Sequence, residues 1–302
     1  MPLNLTKDFV FICTKTKKNR MWFFTSAAAM LVTNRGKLLL AESRLLEYAQ
    51  KIGQSTDTNK DNNTYTMTVM DTEIPSSVLP LKKSYQQGKE DTEEKLFIHS
   101  ALVIRNEKKS KGDAEDTTTS SSTPLVLLHG YMNGALYFYK NLAGLAGYFT
   151  TVHSLDMLGC GLSSGPDFRM LKDRSVQTTE SFFVESLEAW RSQNNIEKMV
   201  LAGHSMGGYM AIAYSEKYPN RVEKLVLLSP AGIQELNEDK LQSFLSSMSW
   251  TRRGVLKVVQ SIYDYGVTPG ALFRSVSETR GRSWVESYVS GRLSHGIKDT
   301  QE

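Results

Sequence analysis

Gly203-His204-Ser205-Met206-Gly207 decides how the rest of this chain is read. The preceding Lys198-Met199-Val200-Leu201-Ala202 has the apolar composition of a short buried strand, and Gly208-Tyr209-Met210-Ala211-Ile212-Ala213-Tyr214 reads as the start of a helix. A serine between two glycines at a strand-to-helix turn has the pattern of a nucleophile elbow. So tight a turn strains the serine backbone, and the glycines Gly203 and Gly207 let neighbouring backbone pass without a Cβ clash. The hydroxyl then stands above the carboxyl edge of a sheet, with a helix N-terminus behind it that favours developing negative charge. The five residues alone also fit a structural connection; the strand before and the helix after favour chemistry.

The chain has 302 residues, 40% hydrophobic and 23% charged, which suits one globular domain with an insertion or two small ones. A net charge of +4 and a pI near 8.8 are compatible with anionic lipid surfaces. No basic stripe with interleaved aromatics is present, so nucleic acid is not expected as a partner. Cys13 and Cys160 lack metal-ligand spacing, so no metal is expected and a reducing compartment is the default. No apolar run is long enough to span a bilayer. Residues 11 to 32 join a lysine-rich stretch to Met21-Trp22-Phe23-Phe24 and a run of alanines. A targeting sequence, mitochondrial in one version, competes there with a buried or membrane-surface helix, which the late start and the preference for Lys over Arg favour.

Residues 37 to 50 place Leu38, Leu39, Leu45, Leu46 and Tyr48 on an amphipathic helix, and the polar residues 52 to 64 read as a solvated loop. Strand character follows at residues 65 to 70 and 96 to 104, with prolines and charge between them, so an antiparallel pair with a long connection is expected. Residues 106 to 123 are low-complexity and read as a disordered insertion. From Pro124 strands alternate with helices: strands at 125–128, 150–155, 198–202 and 224–228, helices at 134–147 and 177–193. That alternation implies an α/β fold, a mostly parallel sheet covered on both faces, with ligands at the carboxyl ends of its strands.

A serine nucleophile needs two backbone N–H groups aimed at the oxyanion of its tetrahedral intermediate. Met206 follows the nucleophile and supplies one; Tyr131, in His129-Gly130-Tyr131 after the strand at 125–128, is the candidate for the other. Gly130 keeps that loop compact, and His129 reads as a satisfied structural histidine. Asp156 opens Asp156-Met157-Leu158-Gly159-Cys160-Gly161-Leu162-Ser163-Ser164-Gly165, where its carboxylate is expected to hold nearby backbone. Cys160 has no base near it in sequence and is not read as a nucleophile.

His129-Gly130, the Asp156–Ser163 stretch and Gly203–Gly208 together resemble the α/β-hydrolase superfamily. Phe183-Val184-Glu185-Ser186-Leu187-Glu188-Ala189-Trp190-Arg191, Tyr214-Ser215-Glu216-Lys217-Tyr218-Pro219-Asn220-Arg221-Val222, Ser229-Pro230-Ala231-Gly232 and Ala41-Glu42-Ser43-Arg44-Leu45-Leu46 are similar to a narrower, lipid-acting branch. That branch contains N-acyl-phosphatidylethanolamine lipases, cardiolipin deacylases, lysophosphatidic-acid acyltransferase-like proteins and a lipid-droplet lipase coactivator. The resemblance implies an N-terminal extension and helix (1–64), a hydrolase core (65–233) and an α-helical cap (234–302). It also implies a phospholipid or lysophospholipid substrate, no cofactor, and a cytoplasmic or membrane-peripheral protein working at a membrane or lipid-droplet surface.

The serine needs a histidine base and an orienting carboxylate, which in this fold follow it in the order Ser, Asp or Glu, His. Asp264 and His295 have that order. However, Val255, Val258, Val259, Ile262 and Tyr263 recur at helix spacing, and no strand leads into His295. The expectation is therefore that the acid, the base and the last strands are absent, that this chain is inactive alone, and that the strand at 224–228 is an exposed, association-prone edge. A non-catalytic lipid-surface scaffold and a small-ester carboxylesterase are the rival readings.

Overall fold

The computed structural model describes residues 9–12, 35–56, 65–82, 95–106, 122–166, 170–173, 175–232, 243, 246–250 and 254. Two compact units divide the chain, Met1–Glu235 and Leu236–Glu302, and every strand and helix below lies in the first. Most of the expected cap, with Asp264 and His295, lies outside the described residues, as do residues 107–121 of the expected insertion.

The strands are β1 (Phe9–Ile12), β2 (Tyr65–Pro75), β3 (Lys95–Arg105), β4 (Leu125–Leu128), β5 (Thr151–Leu155), β6 (Met199–His204) and β7 (Val222–Leu228). They form one sheet in the order β1-β7-β6-β4-β5-β3-β2. The four pairings from β1 to β5 are parallel, and β3 runs antiparallel to both β5 and β2. The helices are α1 (Arg35–Thr56), α2 (Tyr139–Leu145), α3 (Val176–Gln193) and α4 (Met206–Lys217).

Side chains alternate across the sheet because a strand repeats every two residues. Val126, Leu128, Leu201, Leu225 and Leu227 pack on one face with Phe182, Trp190 and Tyr214. Leu125, Leu127, Val200, Ala202 and Val152 pack on the other with Leu142 and Phe138. Thus α3 and α4 cover one face. Leu46 of α1 joins Leu142 of α2 on the other. On α3, Thr179, Phe182, Phe183, Ser186, Leu187 and Trp190 are buried at helical spacing, and Ser175 caps the first turn by accepting the Thr178 amide at 3.1 Å. Each fully buried side chain of this size contributes about 2–3 kcal/mol.

The sheet order places β4 between β5 and β6, so the chain leaves β4 to one side and returns past it to the other. That reversal opens a crevice at the carboxyl ends of β4 and β6.

Three expectations need correction. The strand at 224–228 is not the sheet edge: β1 pairs with it in parallel, Phe9 opposite Leu225 through Ile12 opposite Leu228. Its backbone groups are met by the N-terminal segment, and residues 11–12 are strand, not the start of a helix. The loop expected from residue 52 begins later, because α1 continues to Thr56. Gly53 looks like a breaker in sequence, yet a Cβ there would lie 1.8 Å from Tyr65 Oη and 2.4 Å from Ala143 Cβ, so close packing explains the glycine. Finally, the helix expected over 134–147 is a 3₁₀ turn, Ala135–Phe138, followed by the shorter α2.

Candidate active site

Ser205 sits between β6 and α4 with φ 54° and ψ −115°, a conformation rarely adopted by residues with a Cβ. Its amide donates to Leu228 O at 3.1 Å, and its carbonyl accepts from Gly208, Tyr209 and Ala231 at 3.0, 3.2 and 2.8 Å. The end of β7 and the turn after it therefore brace the serine from outside its own motif. Around it there is no room for side chains. A Cβ on Gly203 would lie 2.3 Å from Gly207 O, and one on Gly207 would lie 2.4 Å from Leu128 O. Strain of this kind persists only where surroundings over-determine it, and it clusters at functional sites.

The loop after β4 meets the same turn. A Cβ built on Gly130 would stand 3.2 Å from Ser205 Cβ and 3.0 Å from His204 Nδ1, so this loop lies against the serine. Tyr131 follows Gly130 in a turn closed by the Asn133 amide on Gly130 O at 3.2 Å, with Met132 at φ 61°. The His204 ring, next to the serine, stacks on Tyr137 at 4.8 Å between centroids, and Tyr137 is 47% exposed.

Beneath this loop His129 is fully buried. Its Nε2 accepts the Met157 amide at 3.1 Å, which assigns the ring proton to Nδ1, donating to Gly130 O at 2.8 Å. Burial lowers its pKa, so the ring is neutral. Asp156, also buried, accepts the amides of Ala135 on Oδ1 and Leu162 on Oδ2, both at 2.6 Å. Burial pushes its pKa up, against the pull of those amides and of His129 and His99. Burial and the Asp156 charge push the Cys160 thiol up to about 12, leaving it an unreactive thiol.

The fold thus assembles Ser205, Met206, Gly130, Tyr131, Gly203 and Gly207 in one place, with Asp156 behind them. Missing from the sequence reading was a cluster beside Asp156 in which His99 and Glu42 are buried and Asp71 is half-exposed. His99 on β3 bridges Glu42 of α1 (Nε2 to Oε1, 2.8 Å) and Asp71 of β2 (Nδ1 to Oδ1, 2.5 Å). The available signal was Glu42 itself, a carboxylate on the face of α1 that also carries Leu38, Leu45, Leu46 and Ala49. Among the described residues no group of side chains is arranged to hold a metal ion, and no helix is long and apolar enough to cross a membrane.

Comparison with known proteins adds ancestry. Residues 123–263 match the family described as alpha/beta hydrolase fold. The chain is 45% identical over 116 residues to the 1-acylglycerol-3-phosphate O-acyltransferase ABHD5 of Rattus norvegicus, covering 38% of this chain and 32% of that protein. It is 34% identical over 181 residues to the 1-acylglycerol-3-phosphate O-acyltransferase of Arabidopsis thaliana, covering 59% and 41%. With the abhydrolase domain-containing protein abhd-5.2 of Caenorhabditis elegans, identity is 36% over 159 residues, covering 51% and 35%. The chain spans less than half the length of each of these relatives. Taken with the mostly parallel sheet and the strained serine at its carboxyl edge, the match over residues 123–263 identifies that region as an alpha/beta hydrolase fold, similar in sequence to 1-acylglycerol-3-phosphate O-acyltransferases.

Proposed function

We propose that Ser205 is the nucleophile of a serine hydrolase or acyltransferase acting on the acyl groups of phospholipids or lysophospholipids. The observation that carries this reading is the strained backbone of Ser205, held by the Leu228 carbonyl of β7 and by amides of α4 and Ala231 over a floor that admits only glycine. Ser205 Oγ bonds to the acyl carbonyl carbon and gives up its proton to a base. The carbonyl oxygen becomes an oxyanion stabilised by the N–H groups of Met206 and Tyr131, each worth about 3–4 kcal/mol in the transition state. Collapse breaks the ester C–O bond, the glycerol oxygen leaves with a proton, and the acyl group rests on Ser205. Water then completes hydrolysis, or a second lipid hydroxyl completes transfer. Similarity to 1-acylglycerol-3-phosphate O-acyltransferases favours a lipid acceptor, and the proposal places the encounter at a membrane or lipid-droplet surface, with the protein peripheral to it.

A second reading, a non-catalytic lipid-surface scaffold, has one observation in its favour. Among the described residues no histidine is hydrogen-bonded to Ser205 Oγ: His129 is committed to backbone, His99 to two carboxylates, His153 packs on Trp190, and His204 stacks on Tyr137. Incubation with phospholipid and lysophospholipid vesicles separates the two. Free fatty acid or a transacylated lipid, lost in Ser205→Ala, supports the enzyme. Vesicle binding without product, unchanged in Ser205→Ala, supports the scaffold. Turnover of short-chain esters alone would contradict both.

A further inference from the structure

The Glu42–His99–Asp71 cluster has no part in the reaction above, yet its His99 and Glu42 side chains are buried. His99 is 3% exposed and Glu42 9%, and both ring nitrogens face carboxylates. Two acceptors on opposite sides of one imidazole require a proton on each nitrogen, so the ring is a cation. Burial opposes that charge. The hydrogen bonds to Glu42 and Asp71, aided by Asp156, more than offset it and raise the ring to about 9. The titratable groups facing the ring are Glu42 from α1, Asp71 from β2 and Asp156 at the end of β5.

The backbone of the same residue is wired to the candidate site. His99 O accepts the Asp156 amide at 2.9 Å, and His99 N donates to Ser163 Oγ at 2.8 Å. Ser163 Oγ in turn donates to Asp156 O at 2.6 Å. The Asp156 carboxylate then holds Ala135 N, the first residue after the Gly130–Gly134 loop. One hydrogen-bonded path therefore runs from α1 through His99 and Asp156 to the loop carrying Tyr131.

We infer that His99 is a positioning residue: its cation seats α1 against the sheet through Glu42, and that seating fixes the loop bearing the second oxyanion donor. The inference rests on the reading of Tyr131 given above only for its effect on reactivity. Its mechanical part, coupling of α1 to the 131–137 loop, stands apart from that reading.

Hydrogen exchange of the full chain at pH 7.5 tests the mechanical part, comparing wild type with Glu42→Gln, His99→Gln and the double variant. Each single variant should speed exchange in α1 and at the Ala135 and Tyr137 amides by about tenfold or more, with no further gain in the double variant. Raising the pH of the wild type through about 9 should reproduce that pattern. Faster exchange of α1 with the 131–137 amides unchanged overturns the coupling. A uniform rise that includes β4 and β6 marks general destabilisation and also overturns it. The rate of fluorophosphonate labelling at Ser205 reads the second part. It should fall in Glu42→Gln at pH 7.5, and the wild-type advantage should disappear above pH 9. If wild type is not labelled at all, the proposed nucleophile fails, while the exchange result still decides the coupling.

Discussion

Oδ1 of Asp156 accepts the amide of Ala135 at 2.6 Å, so one buried carboxylate ties the end of the Gly130–Gly134 loop to the loop that follows β5. Its other oxygen holds Leu162 at the same distance, and the φ of Gly161, +54°, lets the chain wrap close around it. Asp156→Ala leaves two buried amides without acceptors and is expected to cost roughly 3 kcal/mol. Urea unfolding checks the value; a loss below about 1 kcal/mol would mean that water or a rearranged loop replaces the carboxylate.

Gly130 and Gly207 should respond differently to a methyl group. At Gly207 the new Cβ meets Leu128 O at 2.4 Å and His129 O at 2.6 Å, backbone atoms that cannot swing away. Gly207→Ala is expected to destabilise the fold by about 3 kcal/mol or to prevent its recovery. At Gly130 the nearest atom is His204 Nδ1 at 3.0 Å, which has a rotatable side chain. Gly130→Ala should therefore stay within about 1 kcal/mol of wild type while altering reactivity at Ser205. Thermal melts of the two variants, side by side, provide the check.

Met132 occupies a left-handed conformation at φ 61° beside the candidate oxyanion donor. An unbranched side chain tolerates this at a modest cost, whereas a β-branched one does not. Met132→Val is expected to lose about 1–2 kcal/mol, and Met132→Gly to stay near wild type, as relief of strain offsets added freedom in the unfolded chain. Equal stabilities for the Val and Gly variants would refute the strain.

Two buried histidines bend the pH dependence of stability in opposite directions. His153, on β5 against Trp190, is lowered by burial to about 4, so its contribution is complete above the ordinary 6.5 and declines as pH falls to about 4. The shift corresponds to a loss on the order of 3 kcal/mol. His99 is raised to about 9, so its contribution is complete below 6.5 and is lost as pH rises through about 9. Stability is therefore expected to peak near pH 6.5. His153→Phe should flatten the acid limb and His99→Gln the alkaline limb in denaturant titrations across that range.

Pairing of β1 with β7 predicts a consequence for association. Removing residues 1–12 uncovers the backbone of Leu225 to Leu228. The shortened protein should self-associate in light scattering at concentrations where the full chain does not. An equally monodisperse shortened chain would show that β1 is dispensable.

The strand–turn–helix around Ser205 was legible because its signal is local. Gly-x-Ser-x-Gly, a preceding apolar strand and a following helix lie within twenty residues, and each imposes its own periodicity. The antiparallel β2–β3 pair was legible for a similar reason, since its two β-rich runs flank a proline-bearing connection. What escaped was set by distance along the chain. Phe9–Ile12 is four residues long, and its partner lies more than 200 positions away, so no pattern near it announces a strand. The extension of α1 past residue 52 escaped because the reason for a glycine at 53, its packing on Tyr65 and Ala143, is tertiary. Glu42 and His99 are 57 positions apart, and each alone looks like a polar lapse in an apolar face.

The most direct measurement is fluorophosphonate labelling of the full chain followed by peptide mapping. The account predicts one adduct, on the hydroxyl of Ser205, absent from Ser205→Ala and slowed when Gly130 becomes alanine. An unlabelled chain that binds lipid vesicles, or an adduct on any other residue, would contradict it.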